Sequence, residues 1–143
     1  MKSTASAVWK GNLREGIGVF RTQSGAVQNV LYSFATRFEG QSGSNPEELI
    51  AAAHAGCFSM ALSGELSKLN LIPVSIQTTA TITLEMPEKG PTITSSHLET
   101  RAKVPGASAE AFQKAAETAK ANCPISRLLN TTITLDATLL GES

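Results

Sequence analysis

The chain has 143 residues, of which 41% are hydrophobic and 17% are charged. That length is enough for one domain that buries a sizeable core without disulfides. Twelve basic residues balance twelve acidic residues, and this zero net charge excludes the basic footprint of a nucleic-acid-binding or anionic-membrane-binding protein. We therefore expect residues 1–143 to form a single globular domain.

The apolar segments of the sequence indicate a cytoplasmic protein with no membrane partner. The N-terminus has no apolar segment of signal-peptide length. The longest apolar run, Leu49–Leu62, is interrupted by His54 and Ser59 and is too short to cross a bilayer. In a reducing compartment the two cysteines, Cys57 and Cys123, are expected to be free thiols at rest.

The first half of the chain is predicted to form strands followed by one long helix. Turn-forming Gly, Asn and Ser residues separate three predicted strands, Ala5–Lys10, Ile17–Thr22 and Val30–Arg37. Asn45, followed by Pro46 and Glu48, is typical of a helix N-terminus and predicts a helix to about Lys68. Because this helix is apolar on nearly every side, we expect it to be buried all round.

The second half alternates between strands and shorter helices. The sequence Ser75–Glu85 alternates apolar and polar residues with a period of two, which is typical of a half-exposed strand. The elements predicted after it are a strand over Thr92–Val104, a helix capped by Ser108 that runs to about Ala121, a short helix opened by Cys123-Pro124, and a strand over Thr131–Leu140. Strands grouped in this way favour the α+β class with antiparallel sheets.

Each of the two thiols has a structural and a chemical interpretation. Cys57 lies inside the long helix, where a buried cysteine is as often an inert core residue as a reactive one. Burial there is expected to raise its pKa. Cys123 precedes Pro124 at the start of the short helix, where backbone N–H groups favour a thiolate. Local reasoning therefore predicts that Cys123 is the more acidic thiol.

The histidines allow a metal-site alternative. His54 and Cys57 are spaced i, i+3 on one helix face, and His97 and Cys123 complete a possible set of four ligands, although the spacing is unlike that of known zinc sites. We favour His54 as a core histidine with satisfied hydrogen bonds, or as a group beside the thiol.

An arginine is the second kind of residue that the thiol chemistry needs. Arg37 is either an exposed arginine at a strand end or a fixed cation directed at a thiolate or an oxygen leaving group. Arg14 and Arg127 compete for that role, and periodicity does not decide between the three.

Several motifs together resemble the OsmC/Ohr family of thiol-dependent peroxidases. The segment Asn45–Leu62, with Cys123-Pro124-Ile125-Ser126 downstream, carries the resemblance, and Tyr32–Gly40 and Thr132–Asp136 extend it towards the OsmC branch. The resemblance implies an OsmC-like fold, in which antiparallel sheets pack around a long buried helix. It also implies an intertwined homodimer with active sites at the subunit interface and no metal or bound cofactor.

The same resemblance implies roles for individual residues. Cys57 is the expected peroxidatic nucleophile, Cys123 the resolving thiol, and Arg37 and Glu47 the charged support, with Arg14 ranked second to Arg37. The implied reaction reduces organic hydroperoxides to alcohols, with an external dithiol, of lipoyl type, as the reductant. We expect apolar side chains beside the thiol to favour alkyl over hydrogen peroxide, and the candidates are Ile50, Phe58, Met60 and Leu62. The alternative from another class is a non-catalytic stress-associated or ligand-binding dimer with inert cysteines.

Helix geometry adds one prediction about assembly. Glu47 precedes Cys57 by ten residues, which is about 15 Å along a straight helix. Antiparallel packing of the long helices about a two-fold axis brings Glu47 of one subunit near Cys57 of the other. The small residues of Ala51–Gly56 permit such close packing, so composite sites are predicted.

Overall fold

The structure is a computed structural model that describes residues 1–141. The chain divides into two compact units, Met1–Glu48 and Leu49–Ser143.

The first unit is a small antiparallel sheet followed by a short helix. Its strands, in the spatial order β1-β2-β3, are Ala5–Lys10, Ile17–Thr22 and Val30–Tyr32. The bounds predicted for β1 and β2 are confirmed.

The predicted strand over Val30–Arg37 is wrong beyond Tyr32, because the chain turns there into helix α1, Phe34–Phe38. Ser33 caps this helix. Its hydroxyl oxygen accepts from the Thr36 N–H at 3.2 Å, and Thr36 Oγ1 accepts from the Ser33 N–H at 2.8 Å. This reciprocal capping ends the strand and places Arg37 on a helix.

Helix α2, Pro46–Ser67, is an uninterrupted helix of 22 residues. Asn45 Oδ1 accepts from the Glu48 N–H at 2.8 Å, so the predicted helix start is confirmed. The prediction that α2 is buried on every side is correct for one face only. Residues spaced by four on that face are buried, whereas the opposite face is exposed in this chain. The buried residues of this face are His54, Phe58, Leu62 and Leu66, and the exposed ones are Ala52, Ala53, Gly56, Met60 and Gly64.

By length and composition alone, α2 is long and apolar enough to cross a membrane. Its buried face, however, packs into the core of the second unit, as in a core helix of a globular protein. That core is formed by Phe58, Leu62, Leu66, Leu98, Ala102, Val104, Phe112, Ala115, Ala116 and Ala119.

The second unit contains a mixed three-stranded sheet in the order β4-β5-β6. Strands β4, Ser75–Glu85, and β5, Thr92–Lys103, form an antiparallel pair with a bulge between Thr83 and Leu84. Strand β6, Thr132–Leu139, pairs with β5 in parallel. The predicted α+β class is confirmed, and the expected antiparallel pairing holds for every strand pair of the described residues except this one.

The parallel pairing has a simple cause in the connection between the two strands. Helices α3, Ala109–Asn122, and α4, Pro124–Leu128, form a crossover that carries the chain from the end of β5 back to its start. Such a crossover is what a parallel pair requires. Cys123 lies between the two crossover helices.

Candidate active site

The two thiols, both free, are brought together in the second unit. Cys57 is on α2 and partly buried, whereas Cys123 is 1% exposed. The two thiols lie close enough for each to shift the pKa of the other, and the backbone of Ile125 in α4 acts on both. A nucleophile and a potential disulfide partner are therefore adjacent without any rearrangement of the fold.

The surroundings move the pKa values of the two thiols in opposite directions. Burial raises the pKa of Cys57, and its hydrogen bond with the Cys123 thiol raises it further, against a lowering contribution from the Ile125 N–H. Burial also opposes ionisation of Cys123, but the hydrogen bonds from the Ser126 hydroxyl and N–H, with those from Cys57 and Ile125, outweigh it and lower the pKa of Cys123. The expectation that Cys123 is the more acidic thiol is confirmed.

The cap of α4 explains part of that acidity. The Cys123 sulfur accepts from the Ser126 N–H at 3.4 Å, and the Ser126 hydroxyl lies 3.4 Å from the same sulfur. Backbone N–H groups at a helix start have no partner inside the helix. The sulfur takes one of them, as the sequence predicted for a residue at this position.

Behind Cys123, a buried chain of hydrogen bonds connects three elements. His54 of α2 has no exposed surface. Its Nε2 lies 2.7 Å from Ser126 Oγ on α4, and its Nδ1 lies 2.7 Å from Ser96 Oγ on β5. Burial lowers the pKa of His54 below the ordinary 6.5, so the ring is neutral at pH 7. The interpretation of His54 as a core histidine with satisfied hydrogen bonds is confirmed.

In the first unit, Arg37 and Glu47 form an ion pair. Arg37 Nη2 donates to Glu47 Oε1 at 2.7 Å, and its Nε donates to Oε1 and Oε2 at 3.1 and 3.2 Å. A guanidinium held at two points by a carboxylate has a fixed direction. Of the rival arginines, Arg14 stacks on the ring of Phe34 at 4.7 Å, and Arg127 is exposed on α4.

A cleft of about 250 Å³ lies beside Arg37 in the first unit. Its other lining residues are Trp9, Leu13, Tyr32, Ser33 and Phe34. This apolar cleft could not be predicted from the sequence, because its residues come from different strands and from α1. The available signal was the cluster of aromatic residues close to Arg37 in the sequence.

The predicted apolar wall residues occupy different environments on α2. Phe58 is enclosed in the core with no exposed surface, Met60 is 81% exposed, and Ile50 is partly buried. Met60 and Ile50 lie on the same side of the helix as Cys57, three residues after it and seven before it.

The four residues of the metal-site alternative do not form one group. Within residues 1–141, no cluster of three or more His, Cys, Asp or Glu side chains is placed to hold a metal ion. Both ring nitrogens of His54 are engaged by serines, and His97 contacts Thr134 and Asp136 on the outer face of the sheet.

Comparison with known proteins finds one protein family and close relatives. The family model described as OsmC-like protein matches residues 39–138. The chain is 47% identical over 130 residues to a protein named Peroxiredoxin OsmC from Escherichia coli (strain K12), which covers 91% of both chains. It matches a protein of the same name from Shigella flexneri equally well.

Solved structures resemble the fold as well. The organic hydroperoxide resistance protein OhrB of Bacillus subtilis aligns with a TM-score of 0.67 at 21% identity, over 96% of this chain and 98% of that one. An OsmC-like protein of unknown function from Vibrio cholerae aligns with a TM-score of 0.74 at 19% identity, over 96% and 99%. At these identities the likeness shows a shared fold.

Proposed function

The chain belongs to the OsmC-like protein family, and from this premise we propose that it is a thiol-dependent peroxidase that reduces organic hydroperoxides to alcohols. The observation that carries the proposal is the adjacent pair of free thiols, Cys57 and Cys123, with opposite pKa shifts. The 47% identity to a protein named a peroxiredoxin supports the same chemistry. We also propose that the two units act as one domain in a cytoplasmic protein.

The proposed first step is attack of the Cys57 thiolate on the distal peroxide oxygen. The O–O bond breaks, Cys57 becomes a sulfenic acid, and the alkoxide leaves and takes up a proton to give the alcohol. In the second step Cys123 attacks the Cys57 sulfur, the S–O bond breaks, and the departing hydroxide is protonated to water. An external dithiol, of lipoyl type, then reduces the disulfide by two thiol exchanges.

Arg37 is the proposed cation that ionises Cys57. Burial and the Cys123 thiol both raise the pKa of Cys57, so a positive charge beside this sulfur is needed to ionise it. Glu47, which fixes Arg37, is ten residues from Cys57 on the uninterrupted helix α2. We therefore propose that a second copy of the chain supplies both Arg37 and Glu47 to each Cys57, in a homodimer.

The exposed side of α2 supports this assembly. A Cβ atom added at Gly56 or Gly64 meets nothing within 4 Å in this chain, and Met60 between them is 81% exposed. A helix face made of glycine, alanine and one methionine offers close packing to another helix and little to water. In the proposed dimer the cleft beside Arg37 holds the alkyl group of the hydroperoxide, together with Met60 and Ile50.

The test compares Cys57→Ser and Cys123→Ser in a peroxide-consumption assay with cumene hydroperoxide. We expect Cys57→Ser to abolish turnover, and Cys123→Ser to reduce about one equivalent and then stop, because the sulfenic acid has no internal partner. Titration of free thiols before and after one equivalent of peroxide gives a second measurement. No loss of thiols in the wild-type protein would favour a non-catalytic dimer instead.

A further inference from the structure

We propose that His54, held between Ser96 and Ser126, is a positioning residue for Cys123. When the Cys123 sulfur is ionised, His54 directs the Ser126 hydroxyl towards it. When the sulfur becomes neutral, the His54 ring changes tautomer. The importance of this for catalysis rests on the proposed resolving role of Cys123. The hydrogen-bond arrangement itself does not depend on that role.

An unbroken series of buried hydrogen bonds runs from Ser96 to Cys123. Ser96 Oγ, the His54 ring and Ser126 Oγ are joined by two contacts of 2.7 Å, and the Cys123 sulfur follows at 3.4 Å. All four side chains are at least nine-tenths buried. With water excluded, each group has to find its donor or acceptor within the chain.

A neutral imidazole has one N–H donor and one bare nitrogen that accepts, whereas each serine hydroxyl both donates one hydrogen and accepts. When Cys123 is a thiolate, the Ser126 hydroxyl donates to the sulfur, so Ser126 Oγ accepts from the His54 Nε2–H. The Nδ1 atom is then bare and accepts from the hydroxyl of Ser96. Every hydrogen in this order points towards the negative sulfur.

The order reverses when the sulfur is neutral. A thiol or disulfide sulfur is a weak acceptor, and an imidazole nitrogen is a better one. The Ser126 hydroxyl then donates to a bare Nε2, and the ring carries its hydrogen on Nδ1, which donates to Ser96. In either order each contact of the His54 ring pairs one donor with one acceptor, so the tautomer of His54 follows the ionisation state of Cys123.

The titratable groups next to Cys123 and Ser126 are Cys57 and His54, both from α2, while Arg127 of α4 is exposed. Burial lowers the pKa of His54 and so disfavours the doubly protonated ring. The 15N signals distinguish the two events directly, because protonation places hydrogen on both ring nitrogens whereas tautomer exchange moves it from one nitrogen to the other.

The experiment uses the full chain carrying Cys57→Ser, with 15N-labelled histidine and no peroxide. The chain has only two histidines, and His97→Gln assigns the spectrum. We expect the protonated nitrogen of His54 to change from Nδ1 to Nε2 with the same pH midpoint as iodoacetamide alkylation of Cys123. A ring that keeps one tautomer while Cys123 titrates overturns the proposal.

Two further variants separate coupling from general structural damage. Added Ser126→Ala should uncouple His54 from the thiol and slow alkylation below the midpoint by about tenfold or more, because a hydrogen bond to the thiolate is lost. Ser59→Ala, added to the same protein, is the matched control. It removes a 2.7 Å hydrogen bond from Ser59 of α2 to the Thr78 hydroxyl, which is not among the hydrogen bonds that join Ser96, His54, Ser126 and Cys123, so the coupling should persist. Persistence of the coupling in Ser126→Ala overturns the proposal.

His54 itself is tested by His54→Phe and by the conservative His54→Gln. Loss of the donor behind Ser126 should slow alkylation of Cys123 by about two- to tenfold at a fixed pH below the midpoint, and Gln, which can donate and accept, should recover part of that loss. Equal rates for Phe, Gln and His overturn the proposal. These measurements need no peroxidase activity, so failure of the coupling is distinguishable from failure of the proposed enzymatic function.

Discussion

Arg37 and Glu47 form an ion pair in which the carboxylate is the buried partner: 9% of the Glu47 side chain is exposed, against 36% for Arg37. The buried carboxylate therefore depends on Arg37 for its hydrogen bonds and for a compensating charge, whereas the guanidinium remains accessible to a ligand. This asymmetry suits a guanidinium that is fixed on one side and free to act on the other.

The first prediction concerns this pair. Arg37→Met leaves the Glu47 carboxylate buried without its charged partner, so we expect the free energy of unfolding to fall by about 1–3 kcal/mol and peroxide turnover to be lost. Urea unfolding and a peroxide assay measure the two effects. Lys68→Met is the control, since the exposed pair of Lys68 with Glu65 should contribute at most about 0.5 kcal/mol. Equal losses in the two variants would contradict the assignment.

The second prediction concerns pH and His54. Its folded pKa is lowered below 6.5, so below that pH the unfolded chain binds more protons than the folded chain. The free energy of unfolding should therefore fall as the pH falls below 6.5, by up to about 1.4 kcal/mol per pH unit, until the folded pKa is reached. Urea titrations at several pH values should show a smaller fall for His54→Gln. His97→Gln, on the surface, is the control, and parallel curves for all three proteins would refute the prediction.

The third prediction concerns the exposed face of α2. Gly56→Leu adds a side chain whose Cβ atom meets nothing within 4 Å in the single chain but which obstructs a second helix packed there. We expect sedimentation to show a homodimer for the wild-type protein and a monomer for the variant, together with loss of peroxide turnover. Lys114→Leu, at an exposed position on α3, should remain dimeric and active. A fully active monomer would rule out the composite site.

The fourth prediction concerns substrate preference. Leu13 lines the cleft beside Arg37 and is 66% exposed. Leu13→Ala should raise the KM for cumene hydroperoxide by about fivefold, because roughly 1 kcal/mol of apolar contact is lost, and should leave hydrogen peroxide kinetics unchanged. Leu31→Ala, an exposed leucine outside the cleft, is the control. If the wild-type protein consumed both peroxides equally well, the apolar cleft would have no role in selection.

Local patterns in the sequence were sufficient for most elements and for the relative acidity of the thiols. The alternation in Ser75–Glu85, the Asn45-Pro46 helix start and the Cys123 cap each depend on neighbouring residues, and each prediction is confirmed. Helix α1 was missed because the capping pair Ser33 and Thr36 follows directly on an apolar strand-like run.

What could not be predicted depends on residues far apart in the chain. The parallel pairing of β6 with β5 is set by the length of the connection, which strand periodicity does not encode. The contacts of His54 with Ser96 and Ser126 join residues 42 and 72 positions apart. Periodicity can indicate that a histidine is buried, but it does not identify which hydroxyl groups satisfy it.

The crossover that carries Cys123 also determines when, during folding, Cys123 can reach its place beside Cys57. Distant strands pair late in folding, because the entropy of closing the intervening loop is lost before the contacts form. While the chain is being synthesised, the segment holding Cys123 is anchored on one side only until β6 emerges and docks on β5. Until that pairing forms, we expect the Cys123 thiol to be more accessible to other molecules than it is in the folded chain, where 1% of its surface is exposed.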